Sequence, residues 1–346
     1  MLTSILQSEI LEQPDVIHEL LQQEQENVQR IAKRFQGKYR YVLIAARGTS
    51  DNAARYAQYL FGSHNHMQVA LATPSLFTLY KAVPDLSEAL VIGISQSGQS
   101  PDIVSVLEEA RKQGRPTLAI TNSTDSPLAQ TADEIIRLHA HPERAVAATK
   151  SYTASLAALA LFSCSMSGVN ERLTDLSAIP GLMRQMFLDL QPSLEHVERY
   201  RFMDHCNVIG RGFNYSTAFE IALKVKELTS VVAEPYSSAD FRHGPIATVG
   251  RGFPVILIAP SGSIFDDLLQ LEEHLKQLQA ELLVISDRDE LLKLANLPLP
   301  IPSGLAEWLT PLMAVVPGQL FAMRLTVEKG MDPDHPLGLT KVTETL

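Results

Sequence analysis

The sequence predicts an α/β chain of two tandem lobes, each a mainly parallel sheet flanked by helices. Three observations lead there. Short, almost wholly apolar runs such as "YVLIAA" (41–46) and "ALVIGI" (89–94) read as strands buried on both faces, the mark of a parallel sheet. Each run ends in small polar residues and then passes into a helical stripe, as Ala54, Ala57 and Leu60 do after the first strand. The whole grammar then repeats. "YVLIAARGTSDNAARYAQYLF" returns as "NVIGRGFNYSTAFEIALKVKEL", with Gly48 and Gly212 separated by 212 − 48 = 164 residues. "ALVIGISQSG" returns as "FPVILIAPSG", with Gly98 and Gly262 again 262 − 98 = 164 apart. "PTLAITN" returns as "LLVISD", with Ile120 and Ile285 at 285 − 120 = 165. Three strand–turn units on one spacing indicate an internal duplication.

Taken in order, residues 1–36 form an N-terminal helical segment. Its longest helix is predicted over 15–36, where Ile17, Leu20, Leu21, Val28, Ile31, Ala32 and Phe35 recur at three- and four-residue steps. Residues 37–165 form the first lobe, 166–200 a helical bridge, and 201–346 the second lobe with a C-terminal tail. The chain of 346 residues is 45% hydrophobic and 20% charged, ordinary for a globular protein. Its net charge of −10, with no basic block, argues against nucleic acid and anionic membrane as partners. A locally positive pocket for a small anion remains compatible with that charge.

Cys164, in the apolar run "LALFSCSM", reads as a buried, inert thiol, and neither it nor Cys206 lies in a metal-ligand spacing. A reducing, cytoplasmic setting fits this usage. The start lacks a basic n-region and carries Glu9 and Glu12 early, unlike a signal peptide. "ASLAALALF" is too short to span a bilayer, and "WLTPLMAVVPGQLFAM" reads as interrupted by Pro311 and Pro317.

The most informative stretch is "SQSGQSPD" (95–102). Ser95, Ser97 and Ser100 offer hydroxyls, Gln96 an amide, and Gly98 a tight turn, immediately before a helix predicted from about Asp102. Hydroxyls, backbone amides and a helix N-terminus at the carboxyl edge of a parallel sheet suit a phosphate. A solvated loop with a hydroxyl helix cap is the competing reading. The turn Gly48-Thr49-Ser50 at the end of a neighbouring strand favours the phosphate. The second copy, "APSG" and "GRGFN", is poorer in hydroxyls, so one lobe is expected to grip phosphate and the other to have diverged. No Walker loop and no GxGxxG is present.

These motifs resemble the sugar isomerase (SIS) domain family. The likeness continues through "AVAATKSYT" (145–153), "GRGFNYSTAFEIALKVKEL" (210–228), "AEPYSSADFRHGP" (233–245) and the tail "GLTKVTETL". "SEILEQP" near the start is similar to the entry of the isomerase half of glucosamine-6-phosphate synthase. The resemblance implies two α/β lobes acting on hexose 6-phosphates, with ring opening and proton transfer between C1 and C2. It implies that Ser95, Gln96, Ser97 and Ser100 hold phosphate, that Thr49 and Ser50 form a second wall, and that the backbone of Val146 meets the sugar. Glu227 matches the enolisation base, with Lys224 one helical turn away on the same face. His243, in "DFRHGP", matches a ring-opening histidine that reaches the neighbouring subunit's site, which implies a homodimer. Lys341 matches a tail lysine that forms an imine with the open sugar, and Glu234 stands behind the sugar-contacting groups.

The chain departs from the synthase pattern at Gln99 and Asp240, where glutamate is usual, at Arg242, where lysine is usual, and in its ending. It opens Met1-Leu2 and reaches the isomerase region at once, so a glutaminase domain is not expected. The favoured reaction is then the reverse one, as in SIS-type glucosamine-6-phosphate deaminases: glucosamine 6-phosphate to fructose 6-phosphate and ammonia. The alternatives are a plain aldose–ketose isomerase, a deaminase or deglycase of another amino-sugar phosphate such as galactosamine 6-phosphate or a fructosamine 6-phosphate, and a non-catalytic sugar-phosphate sensor. No cofactor and no metal is expected; His64 and His66 in "SHNHM" lack a third ligand and read as an exposed loop.

Overall fold

The computed structural model describes residues 4–341. Two five-stranded sheets carry the chain, and every strand pair in both is parallel. The first holds β1 (Tyr41–Ala45), β2 (Gln68–Leu71), β3 (Ala89–Ile94), β4 (Thr117–Thr121) and β5 (Glu134–Arg137) in the order β2-β1-β3-β4-β5. The second holds β6 (His205–Gly210), β7 (Val232–Ser237), β8 (Pro254–Ile258), β9 (Glu281–Ser286) and β10 (Leu297–Pro300) in the order β10-β9-β8-β6-β7. Reversed, that is the same 2-1-3-4-5 order, so the duplication expected from the 164-residue spacing is a duplication of topology. In such a sheet the strand order reverses between the first and third strands, and the crevice at their carboxyl ends is where ligands gather. The turns Gly48-Thr49-Ser50 and Ser95–Ser100 leave those two strands.

The chain forms two compact units. One contains the first sheet, from Asp15 to Glu143, helix Lys150–Ser167 and the chain on to Ser177, and the tail from Thr340. The other contains the stretch up to Pro14, residues 144–149 and Ala178–Leu339. In the first, Leu43, Val91 and Ala119 of the strands pack on Ile103, Val106, Leu107 and Ala110 of helix Pro101–Lys112. In the second, Ile209, Val255, Leu257 and Val284 pack on Leu268, Leu271 and Leu275 of helix Phe265–Gln277. Burying each such side chain contributes roughly 1.5–3 kcal/mol against the entropy of ordering the chain.

Helix Lys150–Ser167 is buried on nearly all sides, with Phe162 edge-on to Phe61 at 6.1 Å, and holds Cys164, whose thiol burial pushes up to about 12. Helix Thr310–Glu328 corrects one expectation. Pro311 lies in its first turn and Pro317 in its interior, yet the helix runs through both. Proline removes one hydrogen bond and crowds the preceding turn; the burial of this helix along almost its full length offsets that loss. At Gly318 it closes on helix Tyr215–Thr229: a Cβ there would sit 2.4 Å from the Ile221 side chain. No helix among the described residues is long and apolar enough to cross a membrane. His64, expected in an exposed loop, instead lies half-buried in the last turn of helix Gly48–Asn65, because the helical pattern runs on to Asn65 before His66 closes it with a left-handed backbone.

Candidate active site

In the first lobe the phosphate-turn residues come together. Ser95 is buried and its Oγ accepts the Gly98 N–H at 3.1 Å; the Ser97 Oγ accepts the Gln99 N–H at 3.3 Å. Each hydroxyl keeps its own proton to donate. Gln96, Ser97 and Ser100 are half-buried. Ser100 occupies the N-cap position of helix Pro101–Lys112 but makes no capping bond. That geometry removes the hydroxyl-cap explanation of the turn. The loop after β4 props it from behind: Gln96 C=O accepts from Asn122 N–H (3.1 Å), and Gly98 C=O from Leu128 N–H (3.1 Å). Gly98 has φ +65°, and a Cβ there would lie 2.1 Å from Ser126 Oγ, so no larger residue fits.

Thr49 and Ser50 are not in a free turn. They form the first turn of helix Gly48–Asn65, which begins directly from Arg47. Arg47 Nε meets Asp102 Oδ2 at 2.7 Å, and Asp102, wholly buried, also takes the Ile103 N–H at 2.9 Å. This ion pair ties the start of helix Gly48–Asn65 to the start of helix Pro101–Lys112. The pair therefore ties two positive helix ends close to each other.

The second lobe has the same frame with different contents. Arg211, 164 residues after Arg47 (211 − 47 = 164), pairs with Asp267 at 2.9 Å. Asp267 also binds Arg242 (2.6 Å) and Ser238, and these contacts, against the cost of burial, hold its carboxyl below the usual range. The turn "APSGS" is filled from within. Ser261 N–H donates to Asp287 at 2.7 Å, and Ser263 N–H to Glu307 at 2.9 Å. The expected divergence of this lobe is thus a turn whose amides are taken by the protein's own carboxylates.

What the second lobe adds is charge on helix Tyr215–Thr229. Lys224 is 1% exposed and stands between two carboxylates, Glu227 Oε2 at 2.6 Å and Glu220 Oε1 at 3.5 Å. Glu220 is wholly buried, whereas Glu227 keeps 24% of its side chain exposed. The lysine holds Glu227 at its Oε2, while about a quarter of the glutamate side chain stays exposed. Gly318 lets the neighbouring helix approach, and Thr326 Oγ1 bonds Leu228 C=O at 3.3 Å, so the helix carrying these charges is fixed on its far side.

Val146 is half-buried in the loop 144–149, where the N–H groups of Arg144 and Ala145 donate to the buried Glu9 carboxylate. His243 ends the short helix Ser238–Arg242 with its N–H on Asp240 C=O (3.1 Å). Its ring is exposed and makes no side-chain hydrogen bond or ion pair among the described residues. Glu234 lies exposed on edge strand β7 and takes the Tyr236 hydroxyl, whose proton that bond first and burial second push up to about 12. Lys341 reaches back: its Nζ lies 3.1 Å from Glu143 Oε2.

Arg47, Asp102, Glu220, Glu143 and Glu9 were not singled out by sequence. Arginine before the first glycine of both "RGTS" and "RGFN" was the one visible signal. Among the described residues no group of three His, Cys, Asp or Glu side chains is placed to hold a metal; burial lowers the His64 imidazole to about 4.

Known proteins fit this frame. The isomerizing glutamine–fructose-6-phosphate aminotransferase of Thermococcus kodakarensis is 33% identical over 344 residues, 96% of this chain and 56% of that protein. The Aquifex aeolicus protein of the same name is 33% identical over 336 residues, with the same coverage. The chain spans about half the length of these relatives. Among solved structures, the C-terminal domain of a Francisella tularensis glucosamine-fructose-6-phosphate aminotransferase superposes with a TM-score of 0.86 at 24% identity, covering 97% of this chain and 99% of that one. A Thermotoga maritima glucosamine-6-phosphate deaminase gives 0.81 at 23%, covering 99% and 100%. Both share the fold. The SIS domain matches twice, over residues 38–164 and 203–329, one match to each sheet with its helices: this chain belongs to the SIS domain family.

Proposed function

We propose that the chain converts an amino-sugar 6-phosphate, glucosamine 6-phosphate first, into fructose 6-phosphate and ammonia. The observation that carries this reading is Glu227, a carboxylate fixed at 2.6 Å by a buried lysine and 24% exposed. A base so placed is worth roughly 10²–10⁴ in rate. The hydroxyl turn Ser95–Ser100, with Thr49 and Ser50, binds the phosphate. His243 assists ring opening, and Glu227 takes the C2 proton and returns it to C1. Water then adds to the C2 imine, which leaves a C2 carbonyl and ammonia. The names of the relatives support a phosphosugar substrate with nitrogen at C2. An exposed, unbonded His243 suits a residue that serves the site of a second subunit, so the working unit is a homodimer.

The test is a panel of amino-sugar phosphates assayed for ammonia. Glucosamine 6-phosphate should yield ammonia and fructose 6-phosphate in equal amounts, with exchange of the C2 proton into solvent. Rapid interconversion of neutral sugar phosphates with no ammonia from any amino-sugar phosphate replaces this reading with a plain isomerase. For the shared site, inactive Glu227→Gln and His243→Ala chains are mixed and allowed to exchange subunits. Recovered activity supports it, and none despite proven exchange overturns it.

A further inference from the structure

Glu143 is a fully buried carboxylate in the loop between β5 and helix Lys150–Ser167. Its Oε1 accepts the Ser151 N–H at 3.0 Å; its Oε2 accepts the Ser151 O–H at 2.7 Å and the Lys341 ammonium at 3.1 Å. Ser151 lies in the first turn of that helix, so its N–H has no intrahelical acceptor, and a negative charge is favoured there. Lys150 Nζ binds the carbonyl of Pro142 at 3.0 Å, which fixes the backbone beside Glu143. The carboxylate is therefore held in place by the helix itself. A buried carboxylate is stabilised by a counter-charge, and removing one is strongly destabilising. Lys341, from a segment 198 residues further on, supplies that charge while a quarter of its side chain stays exposed.

We propose that Glu143 is a positioning residue for Lys341: it docks the tail lysine so that its amine is delivered in one orientation to the carbonyl of the open-chain sugar. This rests on Lys341 being the imine-forming lysine that the family resemblance implies. Imine formation joins Nζ to the carbonyl carbon and expels that oxygen as water, the ammonium having first given its proton to solvent. A free lysine brings rotamer entropy to that encounter; docking on Glu143 removes part of it beforehand.

The test uses the full chain with Glu143→Gln, which keeps an acceptor for Ser151 and loses the charge, and Glu143→Asp, which restores the charge on a shorter arm. Two readouts are taken. Acylation of Lys341 by a small N-hydroxysuccinimide ester, followed by peptide mass without sugar, reports docking. Borohydride trapping of fructose 6-phosphate on Lys341 reports the imine. Glu143→Gln should acylate several-fold faster and trap about tenfold more slowly, with KM and the thermal midpoint nearly unchanged; Glu143→Asp should recover part of both. Unchanged acylation and unchanged trapping in Glu143→Gln overturn the proposal and leave Glu143 as a helix-start ligand only. If Lys341 of the wild type is never trapped while Glu143→Gln still speeds acylation, the imine reading fails and the docking stands. Should Glu143→Gln not fold, full activity and unchanged acylation in Glu143→Asp would also overturn the proposal.

Discussion

The two lobes share strand order, an arginine–aspartate clasp and the same turn positions, yet they carry different side chains on that frame. In the first, the turn Ser95–Ser100 keeps half-buried hydroxyls free of capping bonds, and helix Gly48–Asn65 buries apolar and neutral residues but no charge. In the second, the turn at Ser261–Ser263 is filled by Asp287 and Glu307, and the helix carries Glu220, Lys224 and Glu227. At the 164-residue offset those three positions correspond to Tyr56, Leu60 and Ser63 (220 − 164 = 56, 224 − 164 = 60, 227 − 164 = 63). Tyr56 and Leu60 are fully buried core residues. A duplicated frame thus divides into a lobe with a hydroxyl-rich turn and a lobe that carries charge on its helix.

The sharpest way to break this comparison is to exchange the two helices' roles. Glu227→Gln keeps shape and removes the base, so kcat should fall roughly 10²–10⁴ with KM little changed, while Ser63→Ala, its counterpart, should leave both alone. Steady-state kinetics on both variants decide it; an equal loss in both would refute the division.

The next contrast lies in the cores. Ile103, Val106, Leu107 and Ala110 correspond, at an offset of 165, to Leu268, Leu271, Glu272 and Leu275 (272 − 107 = 165). Glu272 is thus a carboxyl in a core position, wholly buried and without a hydrogen-bond partner among the described residues. Burial pushes it up to about 7 from an ordinary 4.5. The folded state therefore binds this proton more tightly than the unfolded chain. That contribution to stability is whole below about 4.5 and is lost as pH rises through about 7. Glu272→Leu should stabilise the protein at pH 8 by roughly 3 kcal/mol and by far less at pH 4.5. Denaturant titrations at the two pH values check it, and an equal gain at both would show that packing alone is responsible.

A smaller effect is expected at the turns. Ser97→Ala should raise KM for a phosphorylated sugar about tenfold, the worth of one charge-assisted hydrogen bond, with the thermal midpoint unchanged. Ser261→Ala in the filled turn should alter neither. The smallest contrast is in the clasps. Arg47→Ala leaves Asp102 buried and short of its cation, a loss of roughly 2 kcal/mol. Arg211→Ala leaves Asp267 with Arg242 and Ser238, and should cost about 1 kcal/mol or less. Equal costs by thermal denaturation would mean that Arg242 does not share the load.

Much of this architecture was legible in the chain. Strands buried on both faces must be continuous apolar runs, and their recurrence at one spacing declared the duplication. The hydroxyl turn was legible because serines clustered at a strand end have few structural uses. The clasps and docks were not. Asp102, Glu143 and Glu220 look like any solvated carboxylate in one dimension, and their burial is created by partners 55, 198 and four residues away. Pro317 read as a break because propensity is local, whereas the packing that overrides it is not. His64 read as a loop residue because nothing after the helical stripe marked where the last turn stops.

Glu307 has a consequence for what the second lobe meets in solution. It acts as a ligand on a tether, present at the turn at an effective concentration of ~mM or more. Any anion reaching that turn must compete with an occupant that never diffuses away. The duplicated turn is therefore occupied by two side chains of the protein itself, Glu307 from 44 residues beyond Ser263 and Asp287 from 26 residues beyond Ser261.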